Sequence, residues 1–502
     1  MTAIRGLCLA LALPCFACAS DDPIGTGDGD LLVGEPTIIH HPKQPMVVDV
    51  IVELAAPGTG ELVHSTDSLT QTVLLDPAPG EAATTLHFRV RGLSPNKTHG
   101  LALQVETADR ERSDAWTGEV TTNPAQPGFI AAFQIDTPDS TLVDRDLRLF
   151  DMTRLFADEP SGVFLVDRGG TTRWHVGEDN GVTSIADIWS GLALRPDGSI
   201  SYVRRNTAYI MDELGEVHME VNSASIGAPA GFHHDLTELP NGNFLVLGYS
   251  FSEVDYADEG VLYVAGDMIY EFTPSGELVW SWDCFDHLDP QRRTVEFFNE
   301  QHMIHDPVAG LDGYDWTHGN GLVYSAADDT ILLSLRHQDW IVAIDHGSSE
   351  VRWLLGVDGD FTLIDDQYWF FHPHSPQWQP DGSLLLYDNA VNNPERPNEQ
   401  AHSRAIRYDL DFAAMTATLV WSDDDEPFLS AVAGDADRTS LGHVLRLDSM
   451  VVDTENGGFY SRLHELDPSR SPNLIWSLQL PPARFSYRAV PLSRWIGEPS
   501  AL

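Results

Sequence analysis

A strand–turn–strand unit recurs six times after residue 160, and this repetition limits the fold more than any other feature of the sequence. Each copy has an apolar strand, a turn with Asp or Gly, and a second strand that usually ends in Trp. The copies are Val163–Trp174, Ala208–His218, Ile269–Trp280, Ile341–Trp353, Ala405–Trp421 and Leu463–Trp476. Such a unit cannot bury its apolar faces alone, so the copies must stack against each other.

A second hairpin pattern, often built around a Pro-Asp-Gly or Pro-Asn-Gly turn, precedes each copy except the first. Its examples are Gly191–Tyr202, His234–Leu247, His318–Arg336, His374–Tyr387 and Gly434–Leu445. Two hairpins per repeat make a four-stranded sheet, so the sequence predicts an all-β fold with a six-bladed β-propeller over residues 126–502. We expect Phe129–Phe133 and Phe485–Leu492 to supply the missing sixth hairpin and close the ring.

The segment before the repeats has a different organisation. Residues 31–125 contain β-rich or alternating runs at 47–54, 84–90, 100–107 and 118–122, separated by turn residues. This spacing is typical of a small β-sandwich of the fibronectin type III or immunoglobulin kind. We therefore expect a sandwich domain at 31–125, followed by a Pro- and Gly-containing linker.

The first residues resemble an export signal. Arg5 precedes a short apolar stretch that ends in a small residue and Cys18, which predicts a lipoprotein-type signal peptide over 1–18 and an acidic, Gly-rich tether over 19–30. The expected location is the periplasm or outer membrane of a bacterium, and a plain signal peptide is the alternative. If Cys18 becomes the mature terminus, Cys284 is the one cysteine left besides it, and no disulfide stabilises the domains.

Charge excludes several classes of partner. The chain has 29 Lys and Arg against 76 Asp and Glu, a formal charge of −47, which disfavours nucleic acid and anionic lipid. No stretch reaches the roughly 18 apolar residues of a membrane span, so membrane contact is expected through the lipid anchor alone. The sequence leaves the oligomeric state open, and a homodimer is compatible with it.

Histidines begin the first strand of several predicted blades. The residues at this place, about eight positions before the turn glycine, are Ser190, His234, His318, His374 and Gly434. Because first strands line the channel of a propeller, three histidines should meet near its axis. Arg336 ends the hairpin that His318 begins, so the second strand of that hairpin should return Arg336 to the same end of the channel as His318. An arginine with three histidines is suited to binding a tetrahedral oxyanion.

His233 competes with His234 for this place. The eight-residue distance from His234 to Gly242 equals the distance from His374 to Gly382, and this equality favours His234.

These segments resemble the bacterial arylsulfate sulfotransferase family that uses no nucleotide sulfate donor. The segments that carry the resemblance are His233–Asn243, Trp316–Asp345, Trp353–Gly356, His374–Pro376 and Leu386–Asn389. The resemblance covers about residues 130–495 of this chain. It implies a six-bladed periplasmic propeller that moves a sulfuryl group from a phenolic sulfate ester to a phenolic acceptor, through a sulfated histidine and without a cofactor or metal.

Carried over by motif, the resemblance makes His374 the nucleophile, while His234, His318 and Arg336 bind and polarise the sulfuryl group. Well-known members have a disulfide near the active site, which this chain cannot form with Cys284 alone. This departure indicates a divergent branch with its own substrates.

Two alternatives compete with the transferase hypothesis. Three converging histidines could bind Zn²⁺ with an open coordination position, as in a metal-dependent hydrolase, although Arg336 beside a cation argues against it. A non-catalytic, ligand-binding propeller lipoprotein is the second alternative, and it predicts no covalent chemistry. No Gly-x-Ser-x-Gly segment and no Gly-rich phosphate loop occurs, which disfavours an ordinary esterase or a nucleotide enzyme.

The anchor hypothesis is tested by Cys18→Ser, which removes the acylated thiol. We expect this variant to move from the membrane fraction to soluble fractions after cell lysis and ultracentrifugation, because acyl chains provide the membrane affinity. Cys8→Ser should leave the distribution unchanged. A Cys18→Ser protein that stays in the membrane pellet would contradict the assignment.

Overall fold

The computed structural model describes residues 31–64, 69–125, 133–155, 157, 159–178, 187–298, 303–364, 368–394, 402–425, 427–452 and 457–500. The expected signal peptide and tether lie outside these residues. The described part is almost entirely β-structure. Its helices are α1 (Cys284–His287) and 3-10 turns at Ser223–Ile226, Val295–Phe298 and Arg336–Gln338. None of the helices described is long and apolar enough to span a membrane.

Six strands form the N-terminal β-sandwich. They are β1 (Thr37–His41), β2 (Gln44–His64), β3 (Gln71–Asp76), β4 (Ala83–Arg91), β5 (Thr98–Thr107) and β6 (Arg110–Thr121). The long β2 belongs to both layers, because its first half pairs with β1 and β4 and its second half pairs with β5. Alternate side chains such as Val50, Phe88 and Leu103 fill the space between the layers. The sandwich prediction is confirmed.

Six further sheets follow, and we number them as blades 1 to 6. A short strand, β7 (Gln134–Asp136), comes first. Blade 1 has β8 (Leu147–Met152), β9 (Ser161–Val166) and β10 (Thr172–Glu178); blade 2 has β11 (Ser190–Leu194), β12 (Ile200–Arg204), β13 (Thr207–Met211) and β14 (Val217–Asn222); blade 3 has β15 (Phe232–Glu238), β16 (Phe244–Tyr256), β17 (Gly260–Phe272) and β18 (Leu278–Asp283), extended by β19 (Met303–Asp306) and β20 (Leu311–Asp315).

Each of the other three blades has four antiparallel strands in the same order. Blade 4 has β21 (Gly319–Ser325), β22 (Thr330–Leu335), β23 (Trp340–Asp345) and β24 (Val351–Gly356); blade 5 has β25 (Thr362–Leu363), β26 (Pro373–Trp378), β27 (Leu384–Asp388), β28 (Arg404–Asp411) and β29 (Thr416–Ser422); blade 6 has β30 (Asp435–Arg438), β31 (Val444–Val452), β32 (Phe459–Leu466) and β33 (Leu474–Gln479). In blade 5, β25 adds a parallel strand beside β29 at the outer edge. The last strand, β34 (Ala489–Leu492), returns to blade 1.

The six-bladed prediction is confirmed, since each predicted Trp-ending unit is the outer strand pair of one blade and each Pro-Asp-Gly-type hairpin is an inner pair. The closure prediction is correct for β34, which pairs with β8 of blade 1. The other predicted segment, 129–133, lies outside the described residues except for Phe133. The neighbouring β7 adds a strand to the outer edge of blade 6, so both ends of the propeller segment contribute to closure.

The sandwich packs directly on the propeller. The Arg89 guanidinium bridges Asp49 of the sandwich and Glu213 of blade 2, with N–O distances of 2.7 Å to each. Arg91 donates two further hydrogen bonds to Glu213. Beside these ion pairs, Val47 joins the apolar cluster of blades 1 and 2.

Blade 3 extends past the other blades at one end. Its middle strands, β16 and β17, are 13 residues long each, and β20 pairs in parallel with β17 through Tyr314 and Asp315. The chain then turns directly into the inner strand of blade 4. This connection fixes the position of the residues between β20 and β21.

A buried ion pair connects the first and last blades. Arg148 of β8 bonds to Glu465 of β32, with side-chain exposures of 1% and 0%, and its guanidinium stacks 4.5 Å from the Trp476 ring. We expect Arg148→Met to lower the free energy of unfolding by about 3–5 kcal/mol in urea titrations, because buried Glu465 loses its arginine partner at Oε2 and keeps only the contacts of Oε1 with His443 and the Asp144 N–H. Adding Glu465→Gln should recover part of this loss.

The control is the exposed pair Lys43–Glu216, whose side chains are more than half accessible. Lys43→Met should cost less than about 1 kcal/mol. Equal losses in the two variants would show that the buried pair does not stabilise ring closure.

Candidate functional site

The predicted site residues gather at the end of the channel where the innermost strands begin. His234 lies in β15, His318 immediately precedes β21, His374 lies in β26, and Arg336 directly follows β22. His234 and His318 have φ values of 56° and 52°, the left-handed region that non-glycine residues rarely adopt. Such conformations are held by the surrounding structure and often occur at functional sites.

The strand register corrects the spacing argument for His234. His374 pairs with Tyr387, five residues after its turn glycine, and the residue that pairs five after Gly242 is His233, opposite Leu247. His233 is therefore the ladder equivalent of His374. His234 and Asp235 form a two-residue bulge between the paired positions. His234 reaches the site because of this bulge, not because it repeats the position of His374.

The His234 ring contacts two other rings of the site. Its centroid lies 5.0 Å from that of His318 in a T-shaped arrangement and 5.6 Å from that of Tyr487. Its Nδ1 lies 2.8 Å from Nδ1 of His233. The structure thus brings both neighbouring histidines of blade 3 to the site, with His234 in front and His233 behind it.

A carboxylate orients His318. Its Nδ1 lies 2.5 Å from Oδ2 of Asp315, the last residue of β20. The His337 ring stacks behind it at 4.5 Å, and Nδ1 of His337 donates to the Asp315 carbonyl at 2.8 Å. Because Asp315 occupies Nδ1 of His318, Nε2 is the nitrogen that His318 can present to a ligand.

Arg336 is a buried cation with incomplete hydrogen bonding. It is 5% exposed, and its Nη2 donates to the Ala431 carbonyl at 3.4 Å. Its Nη1 is buried and has no hydrogen-bond partner among the described residues, and no carboxylate there forms an ion pair with the guanidinium. A buried, unpaired donor and charge cost several kcal/mol unless a ligand compensates them. An anion that binds Nη1 would supply this compensation.

His374 is 3% exposed, and its Nδ1 lies 3.2 Å from the carbonyl oxygen of His372. A carbonyl can only accept, so Nδ1 carries the proton and Nε2 carries the lone pair. The amide of Asn389 lies beside the ring, held by its donation to the carbonyls of Ser430 and Ala433 at 2.6 and 2.8 Å. The hydrogen bond to the His372 carbonyl thereby fixes the tautomer of His374 in which Nε2 carries the lone pair.

Burial keeps these imidazoles neutral. It lowers the pKa of His374 to about 3, and Arg336 and His234 lower it further by charge repulsion. Burial also lowers the pKa of His234 to about 4, although Asp315 opposes this shift. The pKa of Arg336 falls from its usual value mainly because of burial, but a guanidinium remains protonated. At neutral pH the Arg336 cation therefore lies beside the neutral rings of His374 and His234.

One group in the described part of the chain has the spacing of a metal site. Ligand atoms of Asp315, His318 and His337 lie within 4.8 Å of one another. This set differs from the three histidines that the sequence suggested. The hydrogen bond between Asp315 and His318 accounts for its geometry, and the charge of Arg336 acts on Asp315 and His337. A hydrogen-bonded cluster beside a guanidinium is a poor cation site.

The opposite side of the same channel end is apolar. Residues from blades 1, 2 and 6 form one cluster there, which consists of Ile188, Ala433, Phe485, Tyr487, Leu155, Val432 and Met450. The last three of these are only partly buried. Because Tyr487 also contacts His234, the apolar cluster and the histidines border the same space. This end of the channel therefore has one side with a cation and one apolar side.

Several site residues are absent from the sequence-based selection. Tyr487 enters from the C-terminal segment, where its hydroxyl donates to the Asn320 carbonyl at 3.1 Å. Asp315, His337 and His372 orient or flank the selected histidines. The sequence could have indicated these three residues, because each lies within three positions of His318, Arg336 or His374. Residues next to the start of an inner strand reach the same end of the channel as that start.

These observations define a class of protein: a six-bladed propeller with a cluster of histidines and one buried arginine at one end of its channel. The sequence model of the arylsulfotransferase (ASST) family matches residues 136–485. The chain belongs to the arylsulfotransferase family. The match covers the six blades and ends before β34.

Two curated relatives are similar to this chain. The arylsulfate sulfotransferase AssT of Escherichia coli O6:H1 is 26% identical over 349 residues, and that of Lelliottia amnigena is 24% identical over 348 residues. Each alignment covers 55% of this chain and 56% of the relative, so the chain spans about half the length of the curated relatives it matches. Among solved structures, the Cps50 (Swd1) β-propeller domain from Myceliophteria thermophila has a TM-score of 0.33 and 8% identity, covering 69% of this chain and 99% of that one.

The low pKa of the buried histidines predicts acid sensitivity. His374 titrates near 3 and His234 near 4 in the folded protein, against an ordinary 6.5. Between these values the unfolded chain binds more protons, so the free energy of unfolding falls as the pH drops through this window. We expect His374→Asn to show a smaller decrease in melting temperature from pH 6.5 to pH 4 than the native protein.

The carboxyl groups of the site are the same in both proteins, so their titration cancels in this comparison. An unchanged pH dependence of the melting temperature in His374→Asn would show that His374 is not kept neutral by burial.

Proposed function

We propose that this protein is an aryl sulfate sulfotransferase, which moves a sulfuryl group from a phenolic sulfate ester to a phenolic acceptor by a ping-pong mechanism through a sulfohistidine at His374. The observation that carries the proposal is Arg336, a buried guanidinium whose Nη1 has no partner among the described residues, beside a neutral histidine whose Nε2 carries the lone pair. The first needs an anion, and the second is a nucleophile.

The sulfuryl group binds through its oxygens. The partnerless Nη1 of Arg336 donates to one of them, and Nε2 of His318, whose other nitrogen is held by Asp315, lies on the same side of the site. Charge-assisted hydrogen bonds of this kind favour the charge that spreads over sulfuryl oxygens in the transition state. His234 is neutral at physiological pH, so binding by a protonated His234 is not part of the mechanism.

The first half-reaction forms the covalent intermediate. The Nε2 lone pair of His374 attacks sulfur, the bond between sulfur and the aryl oxygen breaks, and the donor leaves as a phenol after it takes up a proton. The imidazole of the sulfohistidine carries positive charge. The carbonyl of His372, which accepts from Nδ1–H, stabilises this charge as it develops.

The second half-reaction reverses these events with another phenol. The acceptor loses its proton, its oxygen attacks sulfur, and the bond between sulfur and Nε2 breaks, which restores neutral His374. His234 and His318 are the two candidates for the acid and base, a role worth about 10²–10⁴ in rate. The apolar cluster around Phe485 and Met450 provides the surface on which the aromatic rings of donor and acceptor lie.

We also propose that the protein acts outside the cytoplasm, anchored at Cys18 as the sequence suggests. An exported transferase has no nucleotide pool to draw on, and a phenolic sulfate donor meets this constraint. The Cys18→Ser fractionation described above tests the location separately from the activity.

His374→Asn tests the covalent step. We expect it to abolish sulfuryl transfer from a chromogenic aryl sulfate to added phenol, because a nucleophile cannot be replaced by positioning alone. Native protein exposed briefly to the donor without acceptor should gain about 80 Da, one SO₃ group, on the peptide that contains His374. The adduct should disappear when phenol is added.

The matched control is His346→Asn, since His346 is a partly buried histidine of blade 4 bound to Glu271 and Asp329, away from the channel site. It should retain transfer. Full activity of His374→Asn, or release of product that depends on water and not on phenol, would overturn the proposal.

A further inference from the structure

A second buried carboxylate approaches the histidines from behind, on the side away from the apolar cluster. Asp267 of β17 is 1% exposed. Its Oδ2 accepts from the Thr317 hydroxyl and from the backbone N–H of Gly319, the latter at 2.6 Å. A side chain at Gly319 would collide with this carboxylate, since a Cβ there would lie 2.7 Å from Oδ1. The glycine at position 319 therefore leaves the space that the Asp267 carboxylate occupies.

The remaining oxygen of Asp267 faces His233. Nε2 of His233 lies 3.4 Å from Oδ1 of Asp267. Both atoms are buried, and neither makes a hydrogen bond within the described part of the chain, to the other atom or to a third group. At 3.4 Å a small displacement of the ring is enough for these two complementary polar atoms to hydrogen-bond to each other.

His233 connects this carboxylate to the site. Its ring stacks on Tyr249 with centroids 4.0 Å apart, which fixes its plane, and its Nδ1 lies 2.8 Å from Nδ1 of His234. The two-residue bulge of β15 makes this contact between neighbouring residues feasible. Asp267, His233 and His234 thus form a continuous chain of polar atoms from a buried carboxylate to the reaction site.

The contact between the two Nδ1 atoms admits two proton arrangements, because one nitrogen must donate and the other accept. If Asp267 is ionised, Nε2–H of His233 donates to it, Nδ1–H of His234 donates to His233, and Nε2 of His234 has a lone pair. If Asp267 is protonated, every hydrogen bond reverses and Nε2 of His234 carries a proton. The state of Asp267 therefore decides whether His234 is a base or an acid.

We propose that Asp267 and His233 are positioning residues that form a proton relay with His234, through which His234 protonates the leaving phenolate and deprotonates the incoming phenol. This inference rests on the proposed sulfuryl transfer and assigns the acid–base role to His234 rather than His318. It also gives a role to Asp267 and His233, which the sulfuryl-transfer mechanism does not otherwise use.

The protons balance over a full cycle. In the first half-reaction Nε2–H of His234 passes to the donor oxygen, Nδ1–H of His233 passes to His234, and the carboxyl proton of Asp267 passes to His233. In the second half-reaction the acceptor phenol gives its proton to Nε2 of His234, and the same transfers run backwards. No proton is exchanged with solvent, and neither histidine becomes an imidazolium.

The surroundings of Asp267 suit a group that gains and loses a proton. Burial, with the charges of Asp315 and Asp283, raises its pKa to about 7, against the opposing effect of the hydrogen bonds that Thr317 and Gly319 donate. Burial holds the pKa of His233 well below its usual value. A catalytic proton store is most effective when its pKa lies near the working pH.

Asp267→Asn tests the relay with a series of aryl sulfates whose phenols differ in acidity. The amide cannot store the proton, so His234 can no longer act as an acid. We expect single-turnover release of a weakly acidic phenol to fall by about 100-fold or more, whereas release of nitrophenol should fall by less than about threefold, because nitrophenolate leaves without protonation. The slope of rate against leaving-group pKa therefore becomes steeper.

Two further variants keep the test interpretable. His233→Phe retains the ring against Tyr249 but removes both nitrogens, and it should steepen the same slope even if Asp267→Asn folds poorly. Asp306→Asn is the control, since this carboxylate of the same blade accepts from Tyr263 and Val308 but not from a histidine, and it is not among the charges that act on Asp267, so it should keep the native slope.

A rate loss that is equal for all donors in Asp267→Asn and His233→Phe would overturn the relay and leave the transferase proposal intact. An unchanged slope in either folded variant would do the same. Absence of transfer by the native protein with every donor and acceptor would overturn both.

Discussion

Burial of the Arg336 guanidinium without a carboxylate partner is the constraint on which the site depends. Removing a cation from water costs several kcal/mol, and most proteins meet this cost with an ion pair. Here Nη2 of Arg336 donates to one carbonyl, that of Ala431, and Nη1 has no hydrogen-bond partner among the described residues. A six-bladed ring can tolerate the free-energy cost of this buried cation because apolar contacts between blades, far from the axis, stabilise the ring.

The positive charge at the axis also accounts for the state of the surrounding histidines. Arg336 and burial act together to keep His374, His234, His337 and His372 unprotonated. A neutral imidazole is a nucleophile or a base, whereas an imidazolium is neither. In the proposed mechanism, this one unpaired cation therefore both binds the anion and keeps a nucleophilic nitrogen unprotonated. The chain as a whole has a charge of −47, so this site is a local exception that short-range contacts must produce.

Much of the fold could be predicted from the sequence because the blades repeat. Trp-ending hairpins such as Ile269–Trp280 occur at regular intervals, and repeated units of that kind have few ways to bury their faces. The start of an inner strand is a recognisable position, so His374 and Arg336 could be assigned to the channel before the structure was known. The pairing of β34 with β8 could not be predicted, since β8 lacks the turn signature of the other inner hairpins.

The deeper part of the site depends on features with no local signal. A two-residue bulge in β15 displaces His234 from the ladder position that His374 occupies, and equal spacing to the turn glycine conceals this difference. Asp267 lies in an ordinary strand 33 residues after His234 and reaches His233 only through the lengthened β17 of blade 3. Contacts that depend on register and on strand length are set by tertiary structure and not by residue type.

In the proposed mechanism, one in-line displacement transfers the sulfuryl group from the donor to His374, and a second transfers it from His374 to the acceptor. The most direct measurement uses an aryl sulfate whose sulfuryl group is made chiral with three isotopes of oxygen, and determines the configuration of the product aryl sulfate. Each in-line displacement inverts sulfur, so two displacements predict net retention of configuration. Net inversion would show direct transfer between the phenols and would contradict the account.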